Sequence, residues 1–224
     1  MNSTRLFSYA DPPQDCPHTA VDAAPGGIND WLADMLDGHG VTTRRSVVKP
    51  ITTPLPQGFG GAGMGRHVEF AHPVNIGRIV EAYASGLGGL RYVMVAYPKH
   101  LSAAARRQGQ QQLPSGVPPV AIKSVAICAG SGFDVLKDSD ADLFVTGEMS
   151  HHAALRLTML GKCVLTVFHS NSERRFLRKS LLPRLQGILQ KEVNGPVDVL
   201  VSEEDEDPFE IWDVQKMPDF AYEK

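Results

Sequence analysis

The chain has 224 residues, with 22 Lys and Arg against 25 Asp and Glu and a net charge of -3. That length supports a sizeable core, as one α/β unit or two small lobes, and the charge gives no global attraction for nucleic acid, so a nucleic-acid partner is not expected. No apolar run reaches a membrane span, no signal-peptide core opens the sequence, and Cys16, Cys128 and Cys163 are odd in number and widely spaced, which excludes a disulfide framework and points to a soluble protein of a reducing compartment, cytoplasmic with mitochondrion and nucleus left open.

Taken in chain order, the elements alternate as in an α/β sheet. Ile28 to Leu36 is a predicted helix, because Ile28, Trp31, Leu32, Met35 and Leu36 draw one apolar stripe. Between Val41 and Arg66 the prolines and glycines allow a short strand over Arg45 to Lys49 and otherwise a loop. The string Gly58-Phe59-Gly60-Gly61-Ala62-Gly63 has the spacing of a dinucleotide fingerprint, but no strand leads into it and no helix follows, so that reading is rejected. A helix over Val74 to Ser85 and a strand over Tyr92 to Tyr97 come next, then a polar, Gln-rich linker over residues 99–119, expected to be mobile. Strands follow over Ala121 to Ala129, Asp142 to Val145 and Val164 to Phe168, with a helix over Ser150 to Leu160 between the last two. A long closing helix spans Asn171 to Gln190, with Leu177, Leu181, Leu185 and Ile188 on a face expected to lie on the sheet and Pro183 expected to kink or split it. Val197 to Val201 is expected to end the sheet, and the acidic run Glu203 to Asp207 reads as a solvated loop.

Two strand ends carry chemistry. The apolar run Val164 to Phe168 ends in His169, with Glu173 one helical turn later, and Ser170 or Asn171 can cap the helix between them. Imidazole and carboxylate leaving one strand end suit a divalent metal such as Zn, Mn or Fe, and the carboxyl ends of strands are where open α/β sheets hold ligands. Upstream, Leu143 to Thr146 leads through Gly147 to Glu148, Ser150, His151 and His152 in the same layout. The two histidines either face the same crevice or only line a helix surface. Gly130-Ser131-Gly132 follows a third strand, where it either offers backbone N–H groups to an anion or reverses the chain tightly. Arg174 either sits on a solvated face with Arg175, Arg178 and Lys179 or meets a substrate phosphate. Cys128 and Cys163 fall in apolar strands and read as core.

In this order and spacing the segments Ala126 to Gly132, Thr146 to His152 and His169 to Arg174, with the earlier block His18-Thr19-Ala20-Val21-Asp22 and the helix after it, resemble the NIF-three-like family of NGG-one-interacting factors. The resemblance implies a single domain over residues 1–224 with a mixed sheet and flanking helices. It also implies a site for two metal ions in which Asp22, His169 and Glu173 are ligands, with His18, His151 and His152 in or beside the cleft. Some members are described as GTP cyclohydrolase-like and others as metal carriers or interaction proteins, and the family implies a ring-like homo-oligomer. Relatives carry, ahead of the His-Thr block, a strand ending in a His-Pro motif, which this chain lacks; His72-Pro73 lies after Asp22 and does not replace it. The expectation is therefore a member without the N-terminal part of the first lobe, holding one ion or two, with an unpaired sheet edge. Two functions follow. One is a metal-dependent hydrolase of a nucleotide or related phosphorylated small molecule, with water activated by the ion and Glu148, His151 or His152 moving the proton. The other is a metal carrier or transcription-related scaffold that binds a protein partner without turnover.

Overall fold

The computed structural model of the chain describes residues 17–98, 100 and 120–212. The linker expected over 99–119 lies, His100 aside, outside these residues, as does Cys16. The chain packs as two compact units, divided between Glu173 and Arg174.

In the first unit, helices α1 (His18–Ala23) and α2 (Ile28–Asp34) lead into an antiparallel pair, β1 (Thr42–Pro50) and β2 (Gly63–Asn75). Helix α3 (Ile76–Gly86), capped by the Asn75 side chain accepting from Gly77 N at 2.8 Å, precedes the short strand β3 (Met94–Ala96). Then come β4 (Ala121–Cys128), α4 (Phe133–Leu136), β5 (Leu143–Thr146), α5 (His151–Met159) and β6 (Cys163–Thr166). Six strands form one mixed sheet in the order β1-β2-β4-β5-β6-β3. The β4, β5 and β6 strands run parallel and the other pairings are antiparallel. Parallel strands are buried on both faces, which is why β5 and β6 read as unbroken apolar runs with no alternation.

Alternation along β2 and β4 sorts the two faces. Ala126 and Cys128 face a core completed by Leu136 of α4 and Leu157 of α5. On the other face Arg66, paired in register with Ile127, reaches α2: its guanidinium donates to both Asp30 oxygens, at 2.6 and 2.7 Å. The same side chain donates to the carbonyls of Gly63, Gly65 and Ala24, so a nearly buried cation is fully satisfied. Burial alone would raise Asp30, but its hydrogen bonds and charge contact with Arg66 win and hold the carboxyl below the usual range. This pair fastens the α1–α2 segment, and Asp22 with it, to the sheet.

Two expectations change. The region from Gly63 onward is a thirteen-residue strand, not loop, because three of its early positions, Gly63, Gly65 and Arg66, pack under neighbours where side-chain periodicity carries no signal. A Cβ on Gly63 would stand 2.7 Å from Lys49 O, so close pairing with β1 requires the glycine. The glycine-rich string before it is the turn of the β1–β2 hairpin, in keeping with the rejected fingerprint. Val197 to Val201 forms no strand.

The second unit begins with the predicted closing helix, which Pro183 does not split: it runs on through a π-helical stretch just ahead of the proline. A 3-10 turn over Ser170–Ser172 ends the first unit, and then come α6 (Arg174–Phe176), a π-helical stretch Leu177–Leu181 and α7 (Leu182–Glu192), with the proline in the first turn of α7. Proline removes the N–H that would bond back to the Lys179 carbonyl, and the wider π turn accommodates the loss. The expected apolar face is not buried. Leu177, Leu185 and Ile188 are 41, 40 and 58% exposed, and α7 has no buried residue. A stripe read from spacing reports which residues share a face, not that the face has a partner.

Candidate metal centre

The carboxyl ends of β4, β5 and β6 lie together because the strands are parallel and in register, Cys128 opposite Thr146 and Thr146 opposite Thr166. Their three following loops are tied to one another by buried polar contacts. Thr146 Oγ1 accepts from Gly132 N at 3.0 Å and donates to Gly130 O at 2.8 Å. Ser172 Oγ accepts from Gly130 N at 3.0 Å and donates to His169 O at 2.6 Å, and Glu148 N donates to Gly130 O at 3.1 Å. The N–H groups of Gly130 and Gly132 are thereby consumed by side chains, which favours the tight-turn reading of Gly130-Ser131-Gly132 over an anion cradle.

These ties bring His169 between two carboxylates. Its Nδ1 stands 3.2 Å from Glu148 Oε1 and its Nε2 3.4 Å from Glu173 Oε1. The Ser131 hydroxyl donates to the same Glu148 oxygen. That hydroxyl first, and the imidazole second, hold the Glu148 carboxyl below its ordinary value. Gly130 forms the wall of the site: at φ 59° a Cβ there would lie 2.7 Å from Glu173 Oε1 and 3.3 Å from His169 Cε1. Gly147 does the same behind the histidine, where a Cβ would meet His169 Cα at 2.9 Å. Phe168, directly before His169, holds φ at 68°, a conformation that costs an L-residue about 1–2 kcal/mol and that turns the chain sharply out of the strand.

Asp22 belongs to α1 and reaches the same end of the sheet through Asn29. This fully buried amide donates to Asp22 O at 3.0 Å and accepts from Ala129 N at 2.9 Å. Burial raises the Asp22 carboxyl, with His18 opposing, and among the described residues that carboxylate accepts no hydrogen bond. Asp22 and Glu173 both act on the Cys128 thiol, which burial first and these charges next push up to about 12. Among the described residues His169 approaches Glu173 and Glu148 directly, and no three His, Cys, Asp or Glu side chains are gathered closely enough to hold an ion.

The remaining candidates lie elsewhere or are engaged. His151 and His152 open α5, their rings edge to face at 5.7 Å, and His151 lines a separate cleft of about 490 Å³ with Val95, Tyr97 and Leu155. Arg174, in the second unit, pairs with Asp205 at 2.8 Å and Asp207 at 3.5 Å, so the acidic run read as a solvated loop supplies its partners. The cleft that does include Glu148, about 420 Å³, is completed by Ser131, Phe133, Asp134, Met149 and Ser150, and among the described residues no cationic side chain lines it. Asn29, Thr146 and Ser172 were not expected as site residues. The only trace in the sequence is a polar residue at an apolar position, as at Asn29 beside Ile28 and Leu32.

A mixed sheet whose parallel strands deliver a histidine and carboxylates to one end defines an α/β protein whose candidate site lies at the strand termini. The family model for Duf34/NIF3 (NGG1p interacting factor 3) matches residues 16–208, and the chain belongs to that family. It is 38% identical over 200 residues to the NGG1-interacting factor 3 of Saccharomyces cerevisiae, covering 88% of this chain and 60% of that protein. It is 36% identical over 195 residues to the NIF3 homolog of Schizosaccharomyces pombe, covering 86% and 61%. The chain thus spans about three fifths of the length of these relatives. Among solved structures, a Bacillus cereus protein related to NIF3 superposes with a TM-score of 0.61 at 16% identity, covering 86% of this chain and 72% of that one. HcgD from Methanocaldococcus jannaschii gives 0.50 at 16% identity, covering 78% and 55%. These two likenesses show the shared fold. Among the described residues no helix is long and apolar enough to cross a membrane.

Proposed function

We propose that the chain binds a divalent metal through His169, Glu173 and Asp22 and is a metal-dependent hydrolase of a nucleotide or related phosphorylated small molecule. The observation that carries this is the 3.4 Å separation of His169 Nε2 and Glu173 Oε1 against the bare wall of Gly130. Two ligands at about 2.0–2.1 Å from a tetrahedral ion stand about 3.4 Å apart, so the donor pair has the edge length such a site needs. Asp22, a half-buried carboxylate without a hydrogen bond among the described residues, is the third donor of this reading and would have to close on the pair as the ion binds. Zn, Fe and Mn all suit two carboxylates and an imidazole, with one ion or two. A divalent ion bound there would acidify water into the neutral range, which is the chemistry of hydrolysis.

The side chains around this pair have separable tasks. Gly130 keeps the space beside Glu173 clear, Asn29 holds the backbone of the Asp22 helix to the end of β4, and the cleft at Phe133 and Met149 offers an apolar surface with the Ser131 and Ser150 hydroxyls at its edge. Among the described residues phosphate meets no protein cation in that cleft, so it accepts the uncharged part of a substrate. Metal analysis of the purified protein, followed by a nucleotide and phosphoester screen on the metal-loaded wild type and His169→Ala, tests the reading. Retention of metal by wild type and its loss in the variant, with turnover confined to the former, is expected; equal behaviour of the two refutes it.

A second reading, a metal carrier or interaction scaffold without turnover, is favoured by the surface of α5 and β3. Leu155 and Met159, 50 and 80% exposed, line one cleft with Val95 of the edge strand. Contiguous exposed apolar groups at a sheet edge suit a protein partner or a second copy of the chain, and the yeast relative is named for an interaction. Metal retained with no turnover on any substrate would select it.

A further inference from the structure

The imidazole of His169 has a carboxylate on each side, and the two sides are not equivalent. A neutral imidazole carries one N–H, and an ionised carboxylate only accepts, so the ring proton settles on the nitrogen that faces the better-fixed carboxylate at bonding distance. Glu148 is that carboxylate. Its backbone N–H is anchored on Gly130 O, its Oε1 already takes the Ser131 hydroxyl, and that oxygen lies 3.2 Å from Nδ1. Glu173 approaches Nε2 only to 3.4 Å; its backbone N–H is likewise anchored, on Ser170 O at 3.1 Å, but among the described residues its carboxylate, unlike that of Glu148, takes no side-chain hydroxyl. Gly147 lets the two strand ends close until the Glu148 segment packs against the backbone of His169 itself.

We infer that Glu148 is a positioning residue: with Ser131 behind it, it fixes the Nδ1–H tautomer of His169 and so turns the Nε2 lone pair toward the space shared with Glu173 and walled by Gly130. This assigns Glu148 a task other than proton transfer. It makes Ser131, Glu148 and His169 one chain of hydrogen bonds across three strand ends, with the acceptor lone pair at its far end. An imidazole whose second nitrogen is bonded to a carboxylate is both oriented and more basic, which strengthens it as a ligand. The consequence for affinity rests on the metal-binding reading above; the tautomer itself does not.

The test uses metal-free, ¹⁵N-labelled full chain and long-range ¹H–¹⁵N spectra of the imidazoles about two pH units above the ordinary histidine value, with the His169 signals assigned by their loss in His169→Gln. Wild type is expected to show the Nδ1–H pattern, and Glu148→Ala and Ser131→Ala to move His169 toward the Nε2–H form, fully in the first and in part in the second. Zinc competition against a chelating dye is expected to show about 10- to 100-fold weaker binding in Glu148→Ala, the usual effect of losing such a partner. An Nε2–H tautomer in wild type overturns the inference, and so does a tautomer indifferent to both substitutions. Should wild type show the Nδ1–H form and yet bind no zinc, the metal-binding reading falls and the positioning role stands.

Discussion

Removing the Arg66 side chain tests how the N-terminal segment is held to the sheet. Arg66→Ala deletes five hydrogen bonds at once, two to Asp30 and three to the carbonyls of Gly63, Gly65 and Ala24. Stripping one partner from a buried pair costs about 3–5 kcal/mol, because the other charge remains without compensation. Asp30 is 19% exposed against 3% for Arg66, so water reaches the abandoned carboxylate and the loss belongs near the lower end, about 3 kcal/mol. In a domain of this size each kcal/mol lowers the melting temperature by about 2–4 °C, giving a fall of roughly 6–12 °C. Differential scanning calorimetry of wild type, Arg66→Ala and, as a control, Arg44→Ala measures it. The Arg44 pair with Glu69 is 3.5 Å long and exposed on both sides, and its loss is expected to cost under about 1 kcal/mol. The pH dependence follows from the lowered Asp30 carboxyl: its contribution is present above the unfolded value, about pH 4, and is lost as the pH falls through the folded value. Wild type and Arg66→Ala should therefore converge in stability in acid. Equal losses in Arg66→Ala and Arg44→Ala at neutral pH would refute the assignment of Arg66 as the fastening.

Further outcomes follow from the same structure. Gly130→Ala meets Glu173 Oε1 and a left-handed backbone together, so it is expected to lose at least about 1 kcal/mol by urea denaturation and to retain less metal than wild type. Asn29→Leu strands the Ala129 N–H inside the protein and is expected to cost about 1–3 kcal/mol in the same assay. Cys128 and Cys163, whose thiols burial pushes up to about 12, are expected to resist alkylation at neutral pH in the native protein and to react fully in denaturant, as read by mass spectrometry. Ile188→Lys is expected to change stability by no more than about 0.5 kcal/mol, since its side chain is exposed; a loss of about 2–5 kcal/mol would mean the face is buried after all.

Much of the parallel core was legible because its strands are unbroken runs of buried residues bounded by turn signals, as at Leu143 to Thr146 and Cys163 to Thr166. The order of the motif blocks carried the family, since four segments in sequence exclude chance better than any one of them. What escaped has identifiable causes. The strand over Gly63 to Asn75 begins with residues whose role is to lack or hide a side chain, and its one long cation is buried by hydrogen bonds that composition does not reveal. The stripe on the closing helix obeyed the helical period, yet Leu177, Leu185 and Ile188 stand exposed. His169 and Glu173 were readable as neighbours from spacing alone, but the approach of Glu148 depends on two glycines and two buried hydroxyls spread over three loops. No local pattern encodes such an arrangement, because the contacts that close it join one loop to another across the sheet.

The left-handed backbone at Phe168 bears on how the histidine behaves over time. Energy held in that single dihedral is released whenever the segment swings out, so the turn is biased to open ahead of the strands beneath it. Hydrogen exchange should register this as early loss of protection at Val167 and Ser172 while Val145 and Leu165 stay closed. An imidazole mounted on such a spring can withdraw and return without melting the sheet, which gives anything it holds a path of departure faster than global unfolding.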